Sequence, residues 1–249
     1  MTGADPGHVL IIGAQRCGST YLSTALDAHP EITMARPARP EPKVFCDAEL
    51  SARGRDWYHR TWFGHMGDER FLGEKSTSYL EDPAAPARVA AMLGEAHVVA
   101  VLRNPVERAV SNWRFSTQHG LESRQLEDAL IADLVDEQPW DRTITSVSPF
   151  AYLRRGRYLD HLAAWSSAFP ETTHVLFLED LQADSAVLTE LMQEVGVDPD
   201  RAPTPPAGPV NQSGGDSPVL SRALRGTLQT YFEASNAALS AHLGRPLPW

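Results

Sequence analysis

The sequence predicts an α/β domain in three layers, a central parallel sheet flanked by helices. Three observations carry this prediction. Short apolar runs bounded by turns, HVLII at 8–12, HVVAVL at 97–102 and HVLFL at 174–178, read as strands buried on both faces. Stretches with helical spacing separate them, the alternation that produces parallel sheets. The 249 residues, 42% hydrophobic and 22% charged, have ordinary globular composition, and residues 1–249 are expected to form a single domain.

Each element has its own local justification. After HVLII, a helix is expected from Ser19 to about Ala28, with Tyr21, Leu22, Ala25 and Leu26 on one face and Pro30 past its end. PARPEP, 37–42, carries three prolines in six residues and must be an extended or turning loop. Residues 56–64 are rich in aromatics. Phe71 to Glu74 reads as a short strand and Pro83 to Gly94 as an Ala-rich helix. HVVAVL ends in Arg103-Asn104-Pro105, where Asn104 suits an N-cap and Pro105 the first helical position, so a helix is expected to about Gln118. Further helices are expected over 124–137, 148–169, 186–195 and 221–243, with a long Pro/Gly-rich loop over 202–218.

Bulk properties exclude several classes. A net charge of −10 argues against sequence-independent nucleic-acid binding, which needs many cations to neutralise phosphates. Two cysteines, Cys17 and Cys46, offer neither a disulfide framework nor a zinc pattern, so no metal is expected. MTGADPGH lacks a basic segment followed by an apolar run, and no stretch approaches the length of a membrane span. A cytoplasmic enzyme is the expectation.

GAQRCGST, 13–20, nearly satisfies G-x-x-x-x-G-K-[ST], the phosphate loop of ATPases. Ser19 replaces its lysine, and Arg16 is the nearby cation. A glycine turn between strand and helix aims backbone N–H groups and the helix dipole at one point, where phosphate is the natural guest. Ser19 and Thr20 add hydroxyl donors. Two alternatives stand beside this reading: a glycine turn that binds nothing, and a nucleotide kinase with Glu179-Asp180 as its metal carboxylates. RNPVERAVS, 103–111, delivers Arg103 to the mouth of a second strand–helix junction with Ser111 two turns on, an anchor for a second phosphate. Arg108 alone reads as an exposed residue paired with Glu107 or another acid.

Together these motifs resemble those of the PAPS-dependent sulfotransferases, where PAPS is 3′-phosphoadenosine 5′-phosphosulfate, and in particular bacterial members similar to the heparan sulfate sulfotransferases. RPEPKVF resembles that family's K-E-P-(H/K)-F-F loop, GEKSTSYL its E-K-S-P-x-Y segment, and GRYLDHLAAWSSAFP with HVLFLEDL its later helix and strand. The resemblance implies a P-loop-like fold, PAPS as sulfuryl donor, PAP as product and no metal. It places Gln15, Arg16, Cys17, Gly18, Ser19 and Thr20 on the 5′-phosphosulfate, and Arg103 and Ser111 on the 3′-phosphate. Arg155, in the cluster 154–158, is assigned to the 3′-phosphate or the acceptor, with a solvated basic face as its alternative. Glu41 takes the place of the catalytic base, Lys75 that of a group on the sulfate or acceptor, and Arg16 stands where many relatives carry lysine. Pro40 precedes Glu41 where the family often has lysine. Glu74 is an alternative base, or the salt-bridge partner of Lys75. His59, His65 and His119 are considered as bases by position, and Asn211-Gln212-Ser213 as nucleotide contacts. The expected acceptor is a hydroxyl, less readily an amine, of a small-molecule, lipid or glycan compound. Trp57, Tyr58, Trp62, Phe63, Trp113 and Phe115 either line its groove or belong to the core. A non-catalytic nucleotide-binding module is the remaining alternative.

Overall fold

The apolar runs do form strands, and in the computed structural model, which describes residues 5–141, 143–145, 147–203 and 218–249, they lie side by side. Strands β1 (Gly7–Gly13), β2 (Ile32–Met34), β3 (Phe71–Lys75), β4 (His97–Leu102) and β5 (Thr173–Phe177) form one sheet in the order β2-β3-β1-β4-β5. All pairings are parallel. Val9 to Ile12 and Val98 to Leu102 are fully buried, as expected of central strands covered on both faces. β2 was not expected. Its three residues, Ile-Thr-Met, are too short to show a period and form a strand because Ile32, Thr33 and Met34 pair with Phe71, Leu72 and Gly73.

Ten helices are present among the described residues: α1 (Ser19–Asp27), α2 (Ala48–Ser51), α3 (Arg55–Trp62), α4 (Ala85–Leu93), α5 (Pro105–Gln118), α6 (Leu126–Val135), α7 (Leu159–Ala168), α8 (Leu178–Ala183), α9 (Ala186–Val195) and α10 (Arg222–Leu243). Asn104 caps α5 by accepting from the N–H groups of Val106 and Glu107, with Pro105 at its first position. The helix expected over 148–169 is instead a bend, a 3₁₀ turn over Arg154–Gly156, and α7. Gly156 lies at the break: a Cβ there would lie 2.8 Å from Pro105 and from the Phe232 ring, so this close approach requires glycine. HVLFL ends one residue early, because Leu178 opens α8. The 202–218 loop, with Asn211-Gln212-Ser213, lies outside the described residues but for its ends.

The chain divides into two compact units. One comprises Met1–Leu102 with His161–Asn211 and contains the sheet; the other comprises Arg103–Asp160 with Gln212–Trp249 and is helical. The helical unit has its own apolar core, in which Val106, Ala109 and Val110 of α5 meet Leu126 and Leu130 of α6 and Leu224, Leu228 and Phe232 of α10.

Candidate active site

In the sheet-containing unit the chemistry gathers at the C-terminal ends of β1 and β3. Ile11 pairs with Lys75, and the Ser76 N–H donates to the Ile11 carbonyl at 3.1 Å, so the residues after β3 stand beside the start of the glycine loop. The Ala14 N–H donates to the Val101 carbonyl at 2.8 Å, tying that loop to β4 as well. Arg16 has a left-handed backbone with φ of 67°, and Gly18 has φ of 90°. A Cβ on Gly18 would meet Leu178 at 2.6 Å, so both the turn and its packing need glycine. Gly18, at the N-cap of α1, has no side chain to cap it, and the first turn holds no acidic residue to oppose an anion at the positive end of the helix dipole. Cys17 faces the core: its thiol is fully buried and donates to the Gln15 carbonyl, and its N–H bonds to Ala14. Ser19 is also buried, whereas Gln15, Arg16 and Thr20 are partly exposed.

Glu41 is brought to the same strand end. Its carboxylate forms an ion pair with the Lys75 ammonium and accepts from the Thr77 N–H at 3.0 Å and the Thr77 hydroxyl at 3.1 Å. The side chains of Glu41 and Lys75 retain 17% and 13% of their exposure, enough for a reactant to reach a pair that is otherwise walled in. The Thr77 hydroxyl also lies 3.4 Å from the oxygen that faces Lys75, so both carboxylate oxygens are held. Lys43, two residues on, is a left-handed non-glycine residue with φ of 51°, and its N–H donates to the Ser76 hydroxyl at 2.9 Å. Proline stiffening alone does not hold this loop; the segment after β3 grips it.

Glu74 does not pair with Lys75. Strand alternation turns it the other way, where it is fully buried and accepts hydroxyls from Tyr58 (2.5 Å), Ser76 (2.6 Å) and Tyr79 (2.6 Å). Burial raises its pKa, with the three hydroxyl bonds opposing. Tyr58 and Tyr79 are pushed well above the ordinary phenol range by burial and by Glu74. With no exposed surface and both oxygens engaged by hydroxyls, Glu74 is less suited than Glu41 to meet an acceptor. Thr77, Ser76 and Tyr79 went unnoticed in the sequence, and Tyr58 reads there only as groove lining or core. The signal was a glutamate inside the apolar strand FLGEK followed by the hydroxyl-rich STSY, since a buried carboxylate demands donors.

The histidines are engaged elsewhere. His59 meets His8 at 2.9 Å, His65 meets the Thr33 hydroxyl and the Met34 carbonyl at 3.1 Å, and His119 meets its own helix at the Phe115 carbonyl. Tyr58 and Phe63 belong to the core.

In the helical unit, Arg103 precedes Asn104, the N-cap of α5, and its carbonyl accepts the Tyr158 hydroxyl at 2.7 Å. Ser111 is partly exposed on α5. Arg108 is not the exposed residue its sequence neighbours suggest. It is fully buried and donates to the Tyr152 carbonyl, while Glu107 pairs with Arg225 at 2.8 Å. Arg155, 5% exposed, donates to Asn112 Oδ1 at 3.4 Å; its neighbour Arg154 is exposed and pairs with Glu137 at 2.6 Å. The solvated basic face is therefore Arg154's, not Arg155's.

Glu179 and Asp180 lie in the first turn of α8 and not on the strand itself. Among the described residues, no group of three or more His, Cys, Asp or Glu side chains is arranged to hold a metal ion. No helix among them is long and apolar enough to cross a membrane. The family model described as a sulfotransferase domain matches residues 6–195. The chain belongs to the sulfotransferase family. The match spans the glycine loop, the Glu41 loop, β3 and the Arg103 motif, and the kinase reading is set aside. The chain is 28% identical over 207 residues, 76% of its length, to a bifunctional heparan sulfate N-deacetylase/N-sulfotransferase of Drosophila melanogaster. It spans about a fifth of the length of the curated relatives it matches. Its fold matches the crystal structure of a sulfotransferase from Alicyclobacillus acidocaldarius with a TM-score of 0.79 and 25% identity, over 98% of each chain. A sulfotransferase domain from the curacin biosynthetic pathway shares the fold, with a TM-score of 0.55 and 16% identity over 99% of this chain and 100% of that one.

Proposed function

We propose that this sulfotransferase moves the sulfuryl group of PAPS to a hydroxyl of a small-molecule, lipid or glycan acceptor by in-line displacement, with Glu41 as base. The observation that carries the reading is Glu41 itself. It is a carboxylate held by Lys75 and Thr77 at the strand end beside the glycine loop, with 17% of its side chain still exposed. Glu41 takes the acceptor proton as the acceptor oxygen bonds to sulfur and the bond from sulfur to the departing phosphate oxygen breaks. Lys75 faces the transferred sulfuryl oxygens, and Thr77 keeps the carboxylate aimed. Gln15 to Thr20 take the 5′-phosphosulfate, consistent with the uncapped, acid-free start of α1. Arg16 stabilises the leaving phosphate by charge alone, because a guanidinium does not give up its proton. Arg103 and Ser111 take the 3′-phosphate, and Arg155 supports that end of the nucleotide.

Relatives named as N-sulfotransferases favour one second reading, an amine as the accepting group. The experiment is an acceptor panel with radiolabelled PAPS and no added metal, containing aliphatic alcohols, phenols, glycolipids and sugars with free hydroxyls or amines. Transfer to at least one hydroxyl compound, abolished in Glu41→Ala, is the expected result. Transfer to amines alone replaces the hydroxyl assignment. PAP binding without transfer to any member leaves a nucleotide-binding module.

A further inference from the structure

Glu74 is a conspicuous residue for which the proposed chemistry has no use. It is a fully buried carboxylate, one residue from Lys75, with three hydroxyls around it. Two of those hydroxyls do more than satisfy it. The Ser76 oxygen donates to Glu74 Oε1 and accepts the Lys43 N–H at 2.9 Å. The Tyr79 oxygen donates to the same Oε1 and accepts the Phe45 N–H at 3.3 Å. Each hydroxyl is therefore a relay, and both relays run from one carboxylate oxygen to the backbone of the loop that carries Glu41. The third hydroxyl, Tyr58, reaches Oε2 from α3 and relays to no loop amide among the bonds described.

We infer that Glu74 is a positioning residue, which sets the Glu41 loop through two polarised hydroxyl relays ending on the amides of Lys43 and Phe45. This rests on Glu41 as the base. The physical logic is directional. A hydroxyl that donates to a carboxylate has its proton committed, so its oxygen is left as an acceptor of enhanced strength for the next donor. An apolar residue in place of Glu74 would leave the hydroxyl protons free to rotate and the loop amides without an oriented acceptor. The same arrangement explains the left-handed backbone of Lys43, since its amide must turn inward to Ser76 while Glu41 stays at the strand end with Thr77. It also gives a reason for a buried acid whose desolvation is only partly offset by its hydrogen bonds. Burial of a charge persists where its bonds specify a geometry.

The test is amide hydrogen exchange, resolved by residue, on the full chain and four variants. Ser76→Ala is expected to speed exchange at Lys43 alone, and Tyr79→Phe at Phe45 alone, each by about tenfold, the factor carried by one net hydrogen bond. Glu74→Leu is expected to speed both amides together, because an apolar side chain offers neither the Ser76 nor the Tyr79 hydroxyl an acceptor. Tyr58→Phe is expected to speed neither. The β4 amides of Val99 and Val101 serve as the reference for general loosening. With an acceptor from the panel above, Ser76→Ala and Tyr79→Phe should lower kcat about tenfold and leave KM for PAPS unchanged, whereas Tyr58→Phe should leave both unchanged. If Lys43 and Phe45 exchange no faster in Ser76→Ala and Tyr79→Phe than in Tyr58→Phe, or only in proportion to β4, the relays do not exist as proposed. Should Glu74→Leu not fold, the three hydroxyl variants decide alone. The two readings fail separately: an active Glu41→Gln removes the base without touching the exchange pattern, and unchanged exchange removes the relays without touching the base.

Discussion

Glu41 and Arg155 are both charged groups largely withdrawn from water, and the molecule holds them in opposite ways. Glu41 is fixed by donors from a single short stretch, Lys75 to Thr77, which continues a strand whose register is set by β1. Its reach is short, and backbone supplies one of its bonds. Arg155 comes from a 3₁₀ turn in the helical unit and finds a side-chain acceptor, Asn112 Oδ1, which Arg108 also approaches at 3.5 Å. With Glu41 as the proposed base and Arg155 at the proposed 3′-phosphate end, the difference bears on where each kind of work belongs. A proton acceptor must be placed to a fraction of an ångström, and strand ends provide that. A phosphate anchor acts by charge and tolerates the longer reach of arginine.

Breaking the strand-end arm of this comparison should have the largest effect. Glu41→Gln preserves shape and removes the base, so kcat should fall by roughly 10²–10⁴, the usual worth of a positioned base. PAP affinity, followed by calorimetry, should stay within about twofold of wild type if the carboxylate serves chemistry and not binding. A comparable loss of PAP affinity would move Glu41 out of the chemical step.

The helical arm should break more gently and in binding. Arg103→Ala is expected to weaken PAP by about 10- to 100-fold, the range of one charged hydrogen bond, and to leave AMP, which lacks the 3′-phosphate, little affected. Equal losses for PAP and AMP would detach Arg103 from the 3′-phosphate.

A smaller effect sharpens the comparison from the opposite end of the sheet. His8, near the start of β1, is buried against His59, and its pKa is lowered to about 3 by burial, then by His59 and Arg55. The unfolded chain binds a proton at His8 below its ordinary value near 6.5, and the folded chain does not. This contribution to stability is complete above about pH 6.5 and is lost as pH falls towards 3, with a slope of up to about 1.4 kcal/mol per pH unit. Denaturant midpoints measured from pH 7 to pH 4 should show a shallower decline in His8→Gln. An unchanged decline would assign the acid sensitivity to other groups. Arg154→Ala should do least, because Arg154 and Glu137 form an exposed pair, and a stability change above about 1 kcal/mol would contradict that reading.

Much of the fold was legible because it is written in neighbours along the chain. HVLII and HVVAVL announce buried strands, Asn104-Pro105 announces the start of α5, and the glycines of GAQRCGST announce a turn. β2 was illegible because three residues cannot display a period and only Phe71 to Gly73 make them a strand. The break in 148–169 was illegible because helical spacing persists across it, and the crowding of Gly156 by Pro105 and Phe232 comes from distant segments. At the site, Glu41 and Lys75 could be named separately, but nothing local said that they pair with each other, or that Glu74 points away into three hydroxyls.

By itself, then, the amino-acid sequence determined the parallel α/β architecture, the glycine turn at the start of α1 and the cap of α5. These depend on residues within a turn or two of one another, where periodicity, capping and backbone freedom operate. Only the tertiary structure decided the partners: Lys75 for Glu41, hydroxyls for Glu74, the Tyr152 carbonyl for Arg108 and Asn112 for Arg155. A buried charge takes whichever donor or acceptor the packing brings within hydrogen-bond reach. That depends on strand register and on loops dozens of residues away, which no short stretch of sequence encodes.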